Sequence, residues 1–195
     1  MTVSLLFAAA AVLVQAAAAS GFVAEPQDYR MSDYRSPVPA TLKGATVVDA
    51  ESLHALIANN GGMDVALIDV LPRDRKPPDF PADRLWRPPA RHNLPGSVWL
   101  PNVGYGRISD IRERYFMDNL EMLTTHREGR ILVFYCDANC WMSWNAAKRA
   151  VEYGFRNVHW FPGGVDEWKE AGHELAVGKP VKMPPEFPEL TEEQP

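Results

Sequence analysis

Short apolar runs separated by stretches of helical spacing recur along most of this chain. The run 45–48 (ATVV) predicts a brief strand, and Asp49 after it can cap a helix that places Leu53, Leu56 and Ile57 on one face. Asn60-Gly61-Gly62 would stop that helix, and 65–70 (VALIDV) has the unbroken apolar character of a strand covered on both faces. Residues 97–100 (SVWL) predict another short strand. A helix is expected over 112–126, with Phe116, Leu120 and Leu123 in step, and 131–135 (ILVFY) reads as a core strand. A further helix over 142–153 ends at Gly154, a strand follows at 158–161, and a last short helix at 165–171 ends at Gly172. Strands alternating with helices predict one α/β domain, with a mainly parallel five-stranded sheet and helices on both faces.

Both ends depart from this rhythm. Residues 1–19 carry no charged side chain, and their apolar run 3–14 is too short to cross a bilayer, which takes about 20 residues. Ala17 and Ala19 supply small residues at the spacing a signal peptidase cuts, so the expectation is export to the periplasm, with no membrane contact after cleavage. Residues 20–44 have no sustained period and read as a linker or wrapping arm, ahead of a domain spanning 45–175. The tail 176–195 is rich in Pro and Glu and should lie extended. Within the domain, 71–95 holds seven of the 17 prolines, with six basic side chains against three acidic ones. This basic insertion reads either as a lid or docking rim, with Arg73 among its cations, or as a solvated loop.

The 195 residues, 46% hydrophobic and 23% charged, carry a net charge of −5 and suit one globular domain. An acidic chain is a poor general binder of nucleic acid, whose phosphates require a basic surface. His54, His126, His159 and His173 show no metal-ligand spacing, and neither a phosphate loop nor a Ser-His-Asp set is present, so no cofactor is expected.

The chemistry gathers at the two cysteines, Cys136 and Cys140. Cys136 ends the ILVFY strand just ahead of a helix, which is where parallel α/β sheets bind ligands. Converging amides and a helix dipole there would depress its pKa and make it nucleophilic; the competing reading is an inert buried thiol. If the intervening Asp137, Ala138 and Asn139 curl helically, the two Cα atoms stand about 6 Å apart, within disulfide range, and Cys140 can act as resolving cysteine. An extended loop would set them about 13 Å apart. Cys140 could alternatively be a small residue packed beneath Trp141. Met142 beside the pair would also allow a soft copper(I) site.

VALIDV, LPGS at 94–97, ILVFYC at 131–136 and VHWFPGGVDEWKEAG at 158–172 together resemble the successive signatures of a rhodanese-like domain. The resemblance implies a persulfide-carrying cysteine at Cys136 and an active loop running from Asp137 through Ala138, Asn139 and Cys140 to Trp141. It sets Asp69 at the strand end as a supporting residue, with Leu71 where the family often has Arg. His92 stands beside Asn93, which occupies the family's usual His position. Asp137 in a loop without Arg or Lys would repel dianionic thiosulfate by about 1–4 kcal/mol at 4 Å. With its leader and its CDANCW segment, the chain also resembles periplasmic PQQ-dependent catabolism-associated CXXCW motif proteins, although here three residues separate the cysteines. That likeness implies thiol or persulfide chemistry accessory to alcohol oxidation, with a sulfane-sulfur donor or protein thiol as reactant. A PQQ-dependent dehydrogenase or cytochrome c would be the partner. Two alternatives are a non-catalytic module docking such a partner and a copper or thiol-maintenance factor.

Overall fold

The computed structural model describes residues 23–59, 64–127 and 129–183. The leader 1–19, the Asn60-Gly61-Gly62 stop and the tail beyond 183 lie outside them. The chain order is β1 (Thr46–Val47), α1 (Ala50–Asn59), β2 (Val65–Asp69), β3 (His92–Asn93), β4 (Val98–Trp99), α2 (Asp110–Thr124), β5 (Ile131–Tyr135), α3 (Trp141–Glu152), β6 (Val158–Phe161), α4 (Gly164–Glu170) and β7 (Ala176–Val177). Asp49 caps α1 as expected, its Oδ1 accepting the Ser52 N–H at 2.8 Å. Among the described residues no helix is long and apolar enough to cross a membrane.

Five strands form one parallel sheet in the order β1-β6-β5-β2-β4. Alternation along the strands divides the core. Ala66, Ile68, Leu132 and Phe134 point to the side covered by α2 and α3, where Phe116, Leu120, Trp144 and Ala147 meet them. Val65, Leu67, Val133 and Tyr135 point to the side of α1 and α4 and pack with Leu53, Val165 and Trp168. Each large apolar side chain so enclosed contributes about 1.5–3 kcal/mol. The register aligns Asp69 of β2 with Tyr135 of β5 and with Trp99 of β4. Cys136 follows directly on this layer, in which Asp69 is buried beside Tyr135.

The described part of 20–44 is an arm that wraps α3. Asn145 on α3 clasps the arm's backbone, accepting the Arg30 N–H and donating to the Arg30 carbonyl, both at 2.9 Å. Trp144 Nε1 donates to the Thr41 carbonyl, and Val38 and Leu42 are buried in the core. This accounts for an amide with no exposed surface on a helix: its polar atoms complete the arm's backbone hydrogen bonds.

An antiparallel ribbon of β3 and β7 is absent from the sequence expectations, since a two-residue strand has no period to read. The start of the tail does lie extended, and it is held. After β7, Pro180 bridges to Trp99 and the Val181 N–H donates to the Trp99 carbonyl at 2.9 Å, which covers the β4 edge.

Candidate active site

The segment from Cys136 to Cys140 curls back on itself. Asn139 takes the left-handed conformation (φ 52°) that Asn tolerates better than most residues. Cys140 then stands as the N-cap of α3. Both cysteines are free thiols, Cys136 with no exposed surface and Cys140 with 2%. The Cys136 thiol donates to the Cys140 carbonyl at 3.4 Å, which brings the two thiols close enough to shift each other's titration. The first turn of α3 faces the pair: the Ser143 hydroxyl and N–H approach Cys136, and the Met142 N–H approaches Cys140.

This arrangement overturns the expected depressed Cys136. Burial pushes its thiol well above the ordinary value of 9.0, and the adjoining Cys140 pushes it the same way. The hydrogen bond from Cys136 holds Cys140 below the ordinary value; Arg35 and the Met142 N–H help, against burial. The surroundings favour charge on Cys140, the sulfur at the helix start beside Arg35. A strand-end position exposes a cysteine only when the following loop leaves it open; here the Cys136 side chain is buried in the core on the α2 and α3 side of the sheet, while its carbonyl accepts the Val165 N–H at 3.0 Å.

Two arginines fix the loop. Asp137 accepts Arg35 Nη2 at 2.8 Å and Arg91 Nη1 at 2.6 Å, one guanidinium from the arm and one from the insertion. Arg91 also grips Asp69 with Nε at 2.7 Å and Nη2 at 3.3 Å. Burial raises the Asp69 carboxyl more than Arg91 lowers it. Burial also opposes the charge of Arg91, yet its two carboxylates outweigh that and raise its pKa. Asp69 has one guanidinium and Arg91 has two carboxylates, so the partners shift as they do. The repulsion expected from Asp137 is consequently neutralised, but the neutralising arginines are themselves taken up by carboxylates.

The other anticipated residues divide. The Ala138 N–H is held by Asp166 Oδ2 at 2.8 Å, so it faces α4 and not the sulfurs. Trp141 anchors the arm: its backbone N–H donates to the Tyr34 carbonyl at 2.9 Å, and Nε1 donates to Ser36 Oγ at 3.0 Å. Arg35 forms an antiparallel bridge with Cys140, which lays the arm across the second thiol. Met142 is buried with its Cβ against Gly104. Arg73 and the exposed His92 lie away from the thiols, on a groove of about 500 Å3 that Arg91, Trp99, Asp137 and Lys169 also line. Leu94 and Ser97 of the LPGS turn are tied to β5, the Leu94 N–H donating to the Tyr135 hydroxyl, which donates to Ser97 Oγ. Sequence reasoning missed Arg35, Asp166 and Ser143 and counted Arg91 only as insertion charge. Arg35 and Arg91 are remote from the motif, and Ser143 and Asp166, though inside or beside the quoted segments, carry no spacing that assigns them to the site.

Gly164 opens α4 at φ 55°, and an added Cβ would clash with the Cys136 carbonyl oxygen. Gly164→Ala is expected to cost about 2–5 kcal/mol, combining left-handed strain with a backbone clash. Urea unfolding measures this, and a loss under about 1 kcal/mol would contradict the close approach.

A pair of buried thiols lies between a strand's carboxyl end and a helix start, at the mouth of a parallel sheet. The chain belongs to the rhodanese-like domain family, whose sequence profile matches residues 49–171. That membership points to sulfurtransfer or phosphatase-like chemistry. No curated protein matches the sequence. Among solved structures, a Bacillus halodurans protein is 18% identical and overlaps 68% of this chain and 77% of its own, with a TM-score of 0.43. A Rhodopseudomonas palustris protein of unknown function, described as a possible tyrosine phosphatase, is 22% identical over 68% of this chain and 85% of its own, with a TM-score of 0.42. An uncharacterized Saccharomyces cerevisiae protein is 18% identical over 66% of this chain and 93% of its own, with a TM-score of 0.39.

Proposed function

We propose that this chain is an exported sulfur-handling protein in which Cys140 takes up sulfane sulfur and Cys136 resolves the product. The observation that carries this reading is the placement of Cys140 as the N-cap of α3 under the bridging Arg35, with the buried Cys136 thiol on its carbonyl, which favours the negative charge on Cys140. The roles expected from sequence are thereby exchanged, because the nucleophile is the sulfur that holds the charge. In the first step the Cys140 thiolate attacks the outer sulfur of an organic persulfide. A new S–S bond forms, the donor's S–S bond breaks, and the donor leaves as a thiol with the proton. In the second step Cys136 attacks Cys140 Sγ. The Cys140 persulfide bond breaks, its outer sulfur departs as hydrosulfide with the Cys136 proton, and the two cysteines are oxidised to a disulfide. A protein dithiol returns the pair to thiols. Both sulfurs lie beneath the arm, so reaction requires residues 34–37 to lift from the loop.

The family's other chemistry, on phosphate esters, has less support. Loop residues 136–142 carry no Arg or Lys, and Arg35 and Arg91 are occupied by Asp137. The leader pattern supports export, and the CDANCW likeness supports a role accessory to PQQ-dependent alcohol catabolism. The insertion supports docking of a quinoprotein dehydrogenase or cytochrome c, since Leu85, flanked by Arg84 and Arg87, is 78% exposed.

Mass spectrometry of the reduced chain treated with glutathione persulfide tests the reading. One added sulfur atom should accumulate on Cys140 in Cys136→Ser, whereas the wild type should release hydrosulfide and end as the disulfide. Release should fall to background in both single cysteine variants. Wild-type uptake on Cys136 in Cys140→Ser, or no adduct on either cysteine, would overturn it.

A further inference from the structure

We propose that the end of the sheet opposite the cysteines holds a binding site for a doubly charged oxyanion of the phosphate class, built on Arg127, Arg130 and Arg156. The inference goes beyond the sulfur reading and uses neither thiol. Strands β5 and β6 run parallel, so the segments that lead into them, 129–130 and 154–157, lie together at the end far from Cys136. Asn157 ties the two segments, its Nδ2 donating to the Gly129 carbonyl at 2.7 Å. Beside this tie opens a groove of about 610 Å3 that the three arginines and Phe155 line.

Arg130 carries the geometric argument. It spends Nη1 on the Leu123 carbonyl at 2.8 Å, which leaves its Nε–Nη2 edge. Such an edge matches two oxygens of a phosphate, and Arg91 uses the same edge to grip the Asp69 carboxylate. On Arg130 the edge has no partner among the described residues, and its Nε is buried. A buried donor without an acceptor is destabilising, and a bound oxyanion would satisfy it. Arg156 is exposed and makes no hydrogen bond or ion pair with a described residue.

Charge selects the ligand. Among the described residues no carboxylate lines the groove, although the whole chain carries a net charge of −5. Burial and the Arg127 charge both push the Arg130 pKa down, and Asp64 offsets only part of this. An anion between the guanidiniums would relieve that repulsion, and several cations on one groove favour a dianion over chloride. Phosphate and its monoesters carry about two charges near neutral pH and offer oxygens in pairs. Phe155, which is partly exposed, would give the organic body of a monoester a flat apolar face.

The test is isothermal titration calorimetry of the full chain with inorganic phosphate, at neutral pH in about 0.15 M sodium chloride. A single phosphate per chain should bind with a Kd at or below about 1 mM. Arg130→Lys keeps the charge but loses the two-donor edge, and should bind about tenfold more weakly. Because Arg130 also holds the Leu123 carbonyl, Arg156→Gln serves as a second variant that breaks no contact with a described residue. It should bind about threefold more weakly. The double variant Cys136→Ser/Cys140→Ser should bind like the wild type. Phenyl phosphate separates the two sources of the group. Binding tighter than that of inorganic phosphate assigns the site to a monoester lying on Phe155, and equal or weaker binding assigns it to the free ion. No saturable binding up to about 10 mM phosphate, wild-type affinity in either arginine variant, or loss of binding in the double cysteine variant would each overturn the proposal.

Discussion

Arg91→Ala should cost about 3–5 kcal/mol of folding stability, the toll of leaving a buried carboxylate without its counter-charge. Asp69 has no exposed surface, and of its two oxygens only Oδ1 has another donor, the Leu71 N–H at 3.0 Å. The loss should depend on pH in a defined direction. The folded pKa of Asp69 is raised above its unfolded 3.8, so its contribution favours the fold in acid and is lost as pH rises through the folded value. Removing Arg91 takes away the main pull that lowers that pKa. The difference between variant and wild type should therefore be smallest below about pH 4 and grow towards neutrality. A separate double variant, Asp69→Asn/Arg91→Met, removes the orphaned charge, keeps an acceptor for Leu71, and should recover most of the stability lost in Arg91→Ala. Urea midpoints at pH 4 and pH 7 check all three statements. An equal cost at both, or a double variant as weak as Arg91→Ala, would show that the charge is not the cause.

The same salt bridge shows where sequence reading ends. Strands such as VALIDV and ILVFY are legible because a strand covered on both faces must be apolar throughout, and the structure keeps β5 at Ile131–Tyr135. Helices α2, α3 and α4 start a residue or two earlier than their apolar spacing suggests, since such spacing locates a helix better than it locates its ends. The position of Cys136 follows from the strand it ends, so the site's location was readable. Its electrostatics were not. Arg35 and Arg91 lie 102 and 46 residues from Asp137, and only the folded chain brings them together. Burial misled in the same way: the expectation for Cys136 used the loop and the helix dipole, while the core cluster that encloses it draws Val38 and Leu42 of the arm and Val103 from distant segments.

The arm and the insertion act on the thiols through one residue. Asp137 links Arg35, which bridges to Cys140, with Arg91, which holds Asp69 at the sheet edge. Movement of either segment would free a guanidinium and change the field at Cys140.

That field should appear in how the thiols titrate. In the wild type the thiolate ultraviolet absorbance should rise in two well-separated steps, one below and one far above 9.0, which belong to the coupled pair. Cys136→Ala removes the hydrogen bond that contributes most to the lower step, so the single remaining step should move back up towards 9.0. Arg35→Gln should also raise the lower step but keep two. Stability follows with the sign fixed by each shift. The depressed Cys140 contributes stability that is complete above the unfolded value and lost as pH falls through its folded pKa. The raised Cys136 contributes stability that is present below the unfolded value and lost as pH rises through its own. The two curves meet, so the pair should stabilise the fold most near pH 9, the ordinary thiol value of 9.0. A single-alanine variant keeps only one limb of that maximum. Two steps close to 9.0 in the wild type, or a Cys136→Ala variant whose Cys140 still titrates at the original lower step, would mean that the hydrogen bond between the sulfurs does not place the charge. Sulfur uptake at Cys140 would then lose its physical basis.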